Sequence, residues 1–199
     1  MGLGRRTVYR ALSKASQIAL AAAVLLAGCT YLGSARDFDP AEFSKDPRWL
    51  RAGDVPLVLQ KAEHDCGAAT VSMVLSHWNR PIPFDRVIAG LPENYTQRYS
   101  AADLKKVLES HGLRARTITG SQEILFGELA KGRPSIVGLG KVSIDGARPH
   151  FEVVVAYHPV LNRVVTLDPA RGWRVNGLDG FLDEWDLAKR AQIVAYLMK

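Results

Sequence analysis

A mixed α+β domain is expected from this sequence, with helices in its first half and a mostly antiparallel sheet in its second. Three observations lead there. Ahead of residue 133, apolar stretches are bounded by helix-capping residues and by glycines that stop helices. From residue 135 onward, short runs rich in valine and isoleucine replace them. Two of those runs are joined by His158-Pro159-Val160-Leu161-Asn162, a short turn-forming loop that makes them an antiparallel hairpin.

In chain order, Asp65 can cap a helix from Cys66 to about His77, whose Ala69, Val71, Met73, Val74 and Trp78 supply an apolar surface. A short second helix follows Pro83. A third starts at Ser100, with Asp103 at its third position, and stops at Gly112. Ser121 to Lys131, closed by Gly132, makes a fourth. Strands are expected at Ser135–Leu139, Phe151–Tyr157, Arg163–Leu167 and Gln192–Met198. The succession Val153-Val154-Val155 implies a strand covered on both faces.

The 199 residues have room for one ordinary domain and one core. The formal charge of +6 is concentrated at the front, because Arg5, Arg6, Arg10 and Lys14 fall in a stretch without acidic residues. The remainder holds 22 basic against 20 acidic residues and no basic run, so no nucleic-acid partner is expected. Residues 18–26 are nine consecutive apolar residues, too few for a membrane span, and they lead into Leu26-Ala27-Gly28-Cys29. This resembles a bacterial lipoprotein signal. It implies a signal peptide over 1–28, a lipid on Cys29, and a location in the cell envelope at the periplasmic face of the outer membrane. Residues 29–53 then read as a lipidated tether, and 54–199 as the folded domain. The sequon Asn94-Tyr95-Thr96 has no use in such a protein.

With Cys29 assigned to the signal, Cys66 is left as a free thiol. A thiolate is the reactive form, and a helix N-terminus favours it. Cys66 stands there, in Asp65-Cys66-Gly67-Ala68-Ala69, with small neighbours that would let a peptide backbone approach. Among His64, His77, His111, His150 and His158, only His150 begins a buried strand. Pairing Tyr157 with Arg163 in the hairpin puts His150 opposite position 170, and a two-residue shift would bring Asp168 directly across from it. Asp168 would then orient the imidazole while its other nitrogen takes the thiol proton. Gln60, just ahead of the first helix, can donate its side-chain amide to an oxyanion beside the Cys66 backbone amide.

His64 reads as a solvent-facing loop residue, and no histidine shows metal-ligand spacing, so neither metal nor cofactor is expected. Trp78, Trp173 and Trp185 read as core or cleft-wall residues, and Arg171-Gly172-Trp173 can flank a cleft.

The run Leu59-Gln60-Lys61-Ala62-Glu63-His64-Asp65-Cys66-Gly67-Ala68-Ala69, followed by His150 and Asp168-Pro169, resembles peptidase family C39 over roughly residues 55–198. The tail Gly180-Phe181-Leu182-Asp183-Glu184-Trp185 resembles its closing segment. The resemblance implies a papain-like fold, with the nucleophile helix packed on the sheet. It further implies Cys66 as nucleophile, His150 as base, Asp168 as its orienter and Gln60 as oxyanion donor. The expected partner is a peptide or protein substrate, with possible secretion or transport machinery, and the expected activity is cysteine peptidase. Many family members belong to peptide-exporting transporters that cut after a double glycine. No P-loop or transmembrane bundle accompanies the motif here, so transport is not expected of the chain. Two alternatives stand beside it: a non-catalytic C39-like peptide-binding module of a secretion or biofilm-fibre system, and a cell-wall amidase or acyltransferase using the same thiol.

Overall fold

A computed structural model describes residues 33–92, 99–144 and 146–197. Cys29, the 1–28 signal and the Asn94 sequon lie outside the described residues. The mixed α+β architecture is as expected. Strands β1 (Arg36–Asp37), β2 (Leu50–Arg51), β3 (Arg114–Thr119), β4 (Ser135–Ser143), β5 (Gly146–His158), β6 (Arg163–Asp168), β7 (Gly172–Gly177) and β8 (Ala191–Tyr196) form one sheet. Its order is β1-β7-β6-β5-β4-β8-β3, with β2 added to β5, and every pairing is antiparallel. The helices are α1 (Glu42–Lys45), α2 (Cys66–His77), α3 (Phe84–Ala89), α4 (Ala101–Ser110), α5 (Gln122–Ala130) and α6 (Leu178–Leu187). None of them is long and apolar enough to cross a membrane.

The capping signals set the helix ends. Ser100 accepts from the Asp103 backbone N–H while the Asp103 carboxylate accepts from the Ser100 N–H, a reciprocal cap that starts α4. Ser121 caps α5 in one direction only, its hydroxyl accepting from Ile124 N–H. Gly112 and Gly132 end these helices at φ +82° and +72°, where a side chain would be strained. Asp65 departs from the expectation. It precedes α2, but its carboxylate accepts from Ala62 N–H and not from the helix.

Helix α2 is buried continuously from Cys66 to Leu75 and packs on β5, whose Val153, Val154, Val155 and Ala156 are all buried. Both faces of the sheet are therefore covered at its centre, as expected. Gly67 is part of this packing. A Cβ there would stand 2.9 Å from Leu104 of α4, and both Gly67 and Ala68 are buried, so these small residues admit a neighbouring helix and not a substrate backbone.

Sequence patterning misses β3, β7 and α6, and each omission has a cause. β3 is an edge strand of Arg-Ala-Arg-Thr-Ile-Thr with only Ala115 buried, so it carries the charge that edges need and little apolar signal. β7 buries Arg174 and Asn176, polar residues whose partners lie far away in sequence. α6 contains Gly180, whose missing side chain makes room for Ser34.

The segment read as a tether is packed onto the domain from residue 34. β1 pairs with β7, Phe38 N–H donates to Trp173 O, and Phe38, Phe43, Trp49 and Trp173 form an aromatic cluster. Trp49 stands edge-on to His158, which is fully buried and bonded to Asp46 at 2.9 Å. A free tether would have exposed those rings; burial against β7 is the reason it folds back.

Gly120 closes β3 against α6 and β8. An added Cβ would overlap the Trp185 ring and the Gln192 carboxamide, both buried. Gly120→Ala is therefore expected to cost about 1–3 kcal/mol through overpacking, measured as a lower urea midpoint with an unchanged m value.

Candidate active site

Cys66 is the first residue of α2 and is 2% exposed. The first turn contains no acidic residue, and the preceding Asp65 spends its carboxylate on Ala62 N–H, so no side chain caps the first amides of the helix beside the thiol. His150 lies on β5 and Asp168 ends β6, and they meet through His150 Nε2 and Asp168 Oδ1 at 2.8 Å. The same Oδ1 accepts from Ala170 N–H at 2.8 Å, which fixes the carboxylate in the turn after the strand. With Nε2 held by Asp168, Nδ1 is left for Cys66, and His150 hydrogen-bonds the Cys66 side chain.

The route by which the two residues meet differs from the expectation. At the turn His158 pairs with Arg163, one residue out from the expected register. A β-bulge between Val154 and Ala156 then restores it, so Val153 pairs with Leu167. No two-residue shift occurs. Continued along the strands, this register places Glu152, not His150, across from Asp168. His150 reaches Asp168 diagonally, a separation of about 7–8 Å between backbones that two long side chains can close.

Gln60 lines the same cleft as His150 and Asp168. Its backbone N–H donates to Pro169 O at 2.9 Å, which ties the residue to the turn behind Asp168. Its side-chain oxygen is buried with no hydrogen-bond partner among the described residues. Ala35, Arg171 and Arg174 form further walls, so the N-terminal segment contributes to the cleft. Arg174 is buried and donates to Asp37 and to Ala35 O, fastening that wall to β7. Arg171 flanks the cleft as expected, whereas Trp173 points to the aromatic cluster on the other side.

The other histidines are elsewhere. His77 bonds the carbonyls of Asp54 and Gly132, His111 that of Val107, and His158 the carboxylate of Asp46. His64 is half-buried, and its Nδ1 is enclosed without a hydrogen-bond partner among the described residues, which corrects its reading as a solvent-facing residue.

Sequence reasoning also overlooks Glu152, Lys141 and Glu184. Glu152 is 1% exposed and follows His150 at the spacing that puts both on one face of β5. That alternation was the available signal. His150, Glu152 and Asp168 each bring one donor atom to within 4.8 Å of the others. The cation in this cluster is an ammonium: Lys141 Nζ lies 2.6 Å from Glu152 Oε1 and 2.7 Å from Glu184 Oε2. With that charge present and Asp168 spent on His150, the set fits proton and ammonium handling and not a metal ion.

Burial by itself would lower the basicity of His150. Hydrogen bonds to Asp168 and Cys66, with the charges of Asp168 and Glu152, outweigh it and push the imidazole up from 6.5 to about 10. Burial likewise opposes ionisation of Asp168, but the bonds from His150 and Ala170 and the nearby Lys141 hold it below its ordinary 3.8. The imidazolium thus stabilises the fold fully below about pH 6.5 and less as pH climbs through about 10. Asp168 contributes above its ordinary value and loses that contribution on acidification. The Tm gap between wild type and His150→Gln is accordingly expected to be widest near pH 6 and to narrow toward pH 10. Calorimetry across that range checks it; a constant gap would refute it.

Three solved structures are similar to this chain. A double glycine motif protease from an AMS/PCAT transporter, in complex with its leader peptide, matches with TM-score 0.60 and 21% identity over 74% of this chain and 94% of that one. The peptidase domain of Streptococcus ComA, a bifunctional ABC transporter of a quorum-sensing pathway, matches with TM-score 0.60 and 22% identity over 73% and 100%. A protein from Bacillus anthracis described as C39-like peptidase matches with TM-score 0.60 and 14% identity over 76% and 98%. At these identities the likeness establishes the papain-like peptidase-domain fold. No curated protein matches the sequence. The family model for peptidase C39 matches residues 54–189, a span that includes Cys66 of α2, His150 of β5 and Asp168 of β6, and the chain belongs to the peptidase C39 family.

Proposed function

We propose that this protein is a lipid-anchored cysteine peptidase that hydrolyses a peptide bond in an exported peptide or protein. The observation that carries the reading is the bond from His150 Nε2 to Asp168, which leaves the other imidazole nitrogen for a thiol at a helix N-terminus. The Cys66 thiolate attacks the scissile carbonyl, and the oxyanion is met by the Gln60 side-chain amide and the Cys66 backbone N–H. The imidazolium of His150 passes its proton to the leaving amine as the C–N bond breaks, leaving a thioester on Cys66. His150, now neutral, takes a proton from water, whose oxygen displaces the sulfur and releases the carboxylic acid. Asp168 holds the ring orientation throughout.

A peptide substrate is supported by family membership and by the leader peptide bound to the similar AMS/PCAT protease. Anchoring rests on Leu26-Ala27-Gly28-Cys29. Ala35, which lines the cleft, is the sixth residue after Cys29, and an extended chain covers about 3.3–3.6 Å per residue. A lipid on Cys29 would hold the cleft within about 20 Å of the bilayer surface, which favours peptides presented at the periplasmic side of the membrane.

A peptide-based thiol electrophile is expected to label Cys66 at neutral pH, with labelling lost in Cys66→Ala and strongly reduced in His150→Gln. Absence of labelling would reject the peptidase, and release of stem peptides from wall fragments alone would replace it with a wall hydrolase. Gln60→Ala is expected to lower kcat about 10²- to 10³-fold with little change in KM. Cys29→Ser is expected to move the protein from the membrane fraction to the soluble fraction. Unchanged fractionation would reject the anchor and leave the chemistry intact.

A further inference from the structure

Behind the Cys66–His150–Asp168 site lies a second set of buried charges that the reaction scheme does not use. Lys141 of β4 bridges Glu152 of β5 and Glu184 of α6 at 2.6 and 2.7 Å. All three are withdrawn from solvent, with side-chain exposures of 16% for Lys141, 1% for Glu152 and 7% for Glu184. Burying two carboxylates against one ammonium is unfavourable unless another positive charge is close. His150 supplies it, since Glu152 shares its face of β5 and the donor atoms of His150, Glu152 and Asp168 lie within 4.8 Å of one another.

We propose that Glu152, held by Lys141 and through it by Glu184, is a positioning residue that acts on His150 alongside Asp168, so that the imidazolium is balanced by two carboxylates. The proposal rests on the thiol–imidazole reading of the site. Asp168 makes the directional bond to Nε2, and Glu152 adds a second carboxylate within 4.8 Å of the pair. Lys141 gives this buried carboxylate an opposite charge at 2.6 Å. It also lines the cleft, so a bound substrate that excludes water there would strengthen the whole set.

Glu184 makes the arrangement pH-sensitive. Burial pushes its carboxyl up to about 7, so it changes charge near neutral pH. It faces Lys141 of β4, and through it Glu152 of β5. The other buried charged groups on strands packed against α6 are Asp168 of β6 and Arg174 of β7, which are bonded to His150 and to Asp37. The remaining acidic residues of α6, Asp179, Asp183 and Asp186, are exposed. Below about pH 7 Glu184 is neutral beside Lys141; above it a second negative charge joins the set, which favours a protonated imidazole.

The test is a ¹⁵N NMR titration of the His150 ring in the full-length protein, which reads imidazole protonation whether or not any peptide is cleaved. In Glu152→Gln the midpoint is expected to fall to lower pH, a loss of about ten-fold or more in proton affinity. An unchanged midpoint in a folded Glu152→Gln protein would overturn the proposal. Should that variant not fold, Glu184→Gln decides: wild type is expected to show an inflection in the His150 shift near pH 7 that this variant lacks. No inflection in wild type, or its persistence in Glu184→Gln, would equally overturn it. Failure of Cys66 labelling alongside a shifted midpoint would reject the peptidase and keep the charge network.

Discussion

The site depends on a single extra residue in β5. Side chains alternate across a strand, so a slip of one position exchanges the two faces of everything beyond it. Near the turn His158 pairs with Arg163; carried inward without interruption, that register would set Asp168 opposite Val153 and on the face away from His150. The bulge between Val154 and Ala156 changes the parity, so Asp168 comes to share a face with Glu152 and His150. It lies where both faces of the strand are covered, which leaves little freedom for the register to drift.

Once that face is assembled, its electrostatics follow from burial. A thiol, an imidazole and three carboxyl groups cannot be taken from water independently, because each isolated charge would be neutralised. They persist as a set: Asp168 against His150, Glu152 and Glu184 against Lys141, with the α2 N-terminus beside the sulfur. Each pair draws its members from different elements. Folding and assembly of the charged cluster are therefore one event, and the cluster exists only when β4, β5, β6, α2 and α6 are all in place.

The segment ahead of the family domain enters the same assembly. Arg174 and Asn176 of β7 are buried polar groups that nothing nearby in the sequence satisfies, and Asp37, Ala35 O and Ser34 satisfy them. In return β1 covers the edge of β7 and Ala35 becomes part of the cleft wall. Edge protection and cleft construction are the same contact.

The sequence by itself determined the α+β class, four helices with their ends, and the central strands, because caps, glycine stops and valine runs act over a few residues and need no distant partner. The positions of Cys66, His150, Asp168 and Gln60 were legible through one short motif and one hairpin. Tertiary structure decided what depends on partners far along the chain. It turned Gly67 toward Leu104, withdrew the Asp65 carboxylate from the helix, folded the expected tether onto β7, and made β3, β7 and α6 ordered elements despite weak apolar patterns. It also joined His150 to Asp168 along a diagonal that pairing rules do not give, and placed Lys141 and Glu184 behind them. A bulge leaves no mark in local composition, and a buried ion pair has no periodicity; both arise only when elements pack.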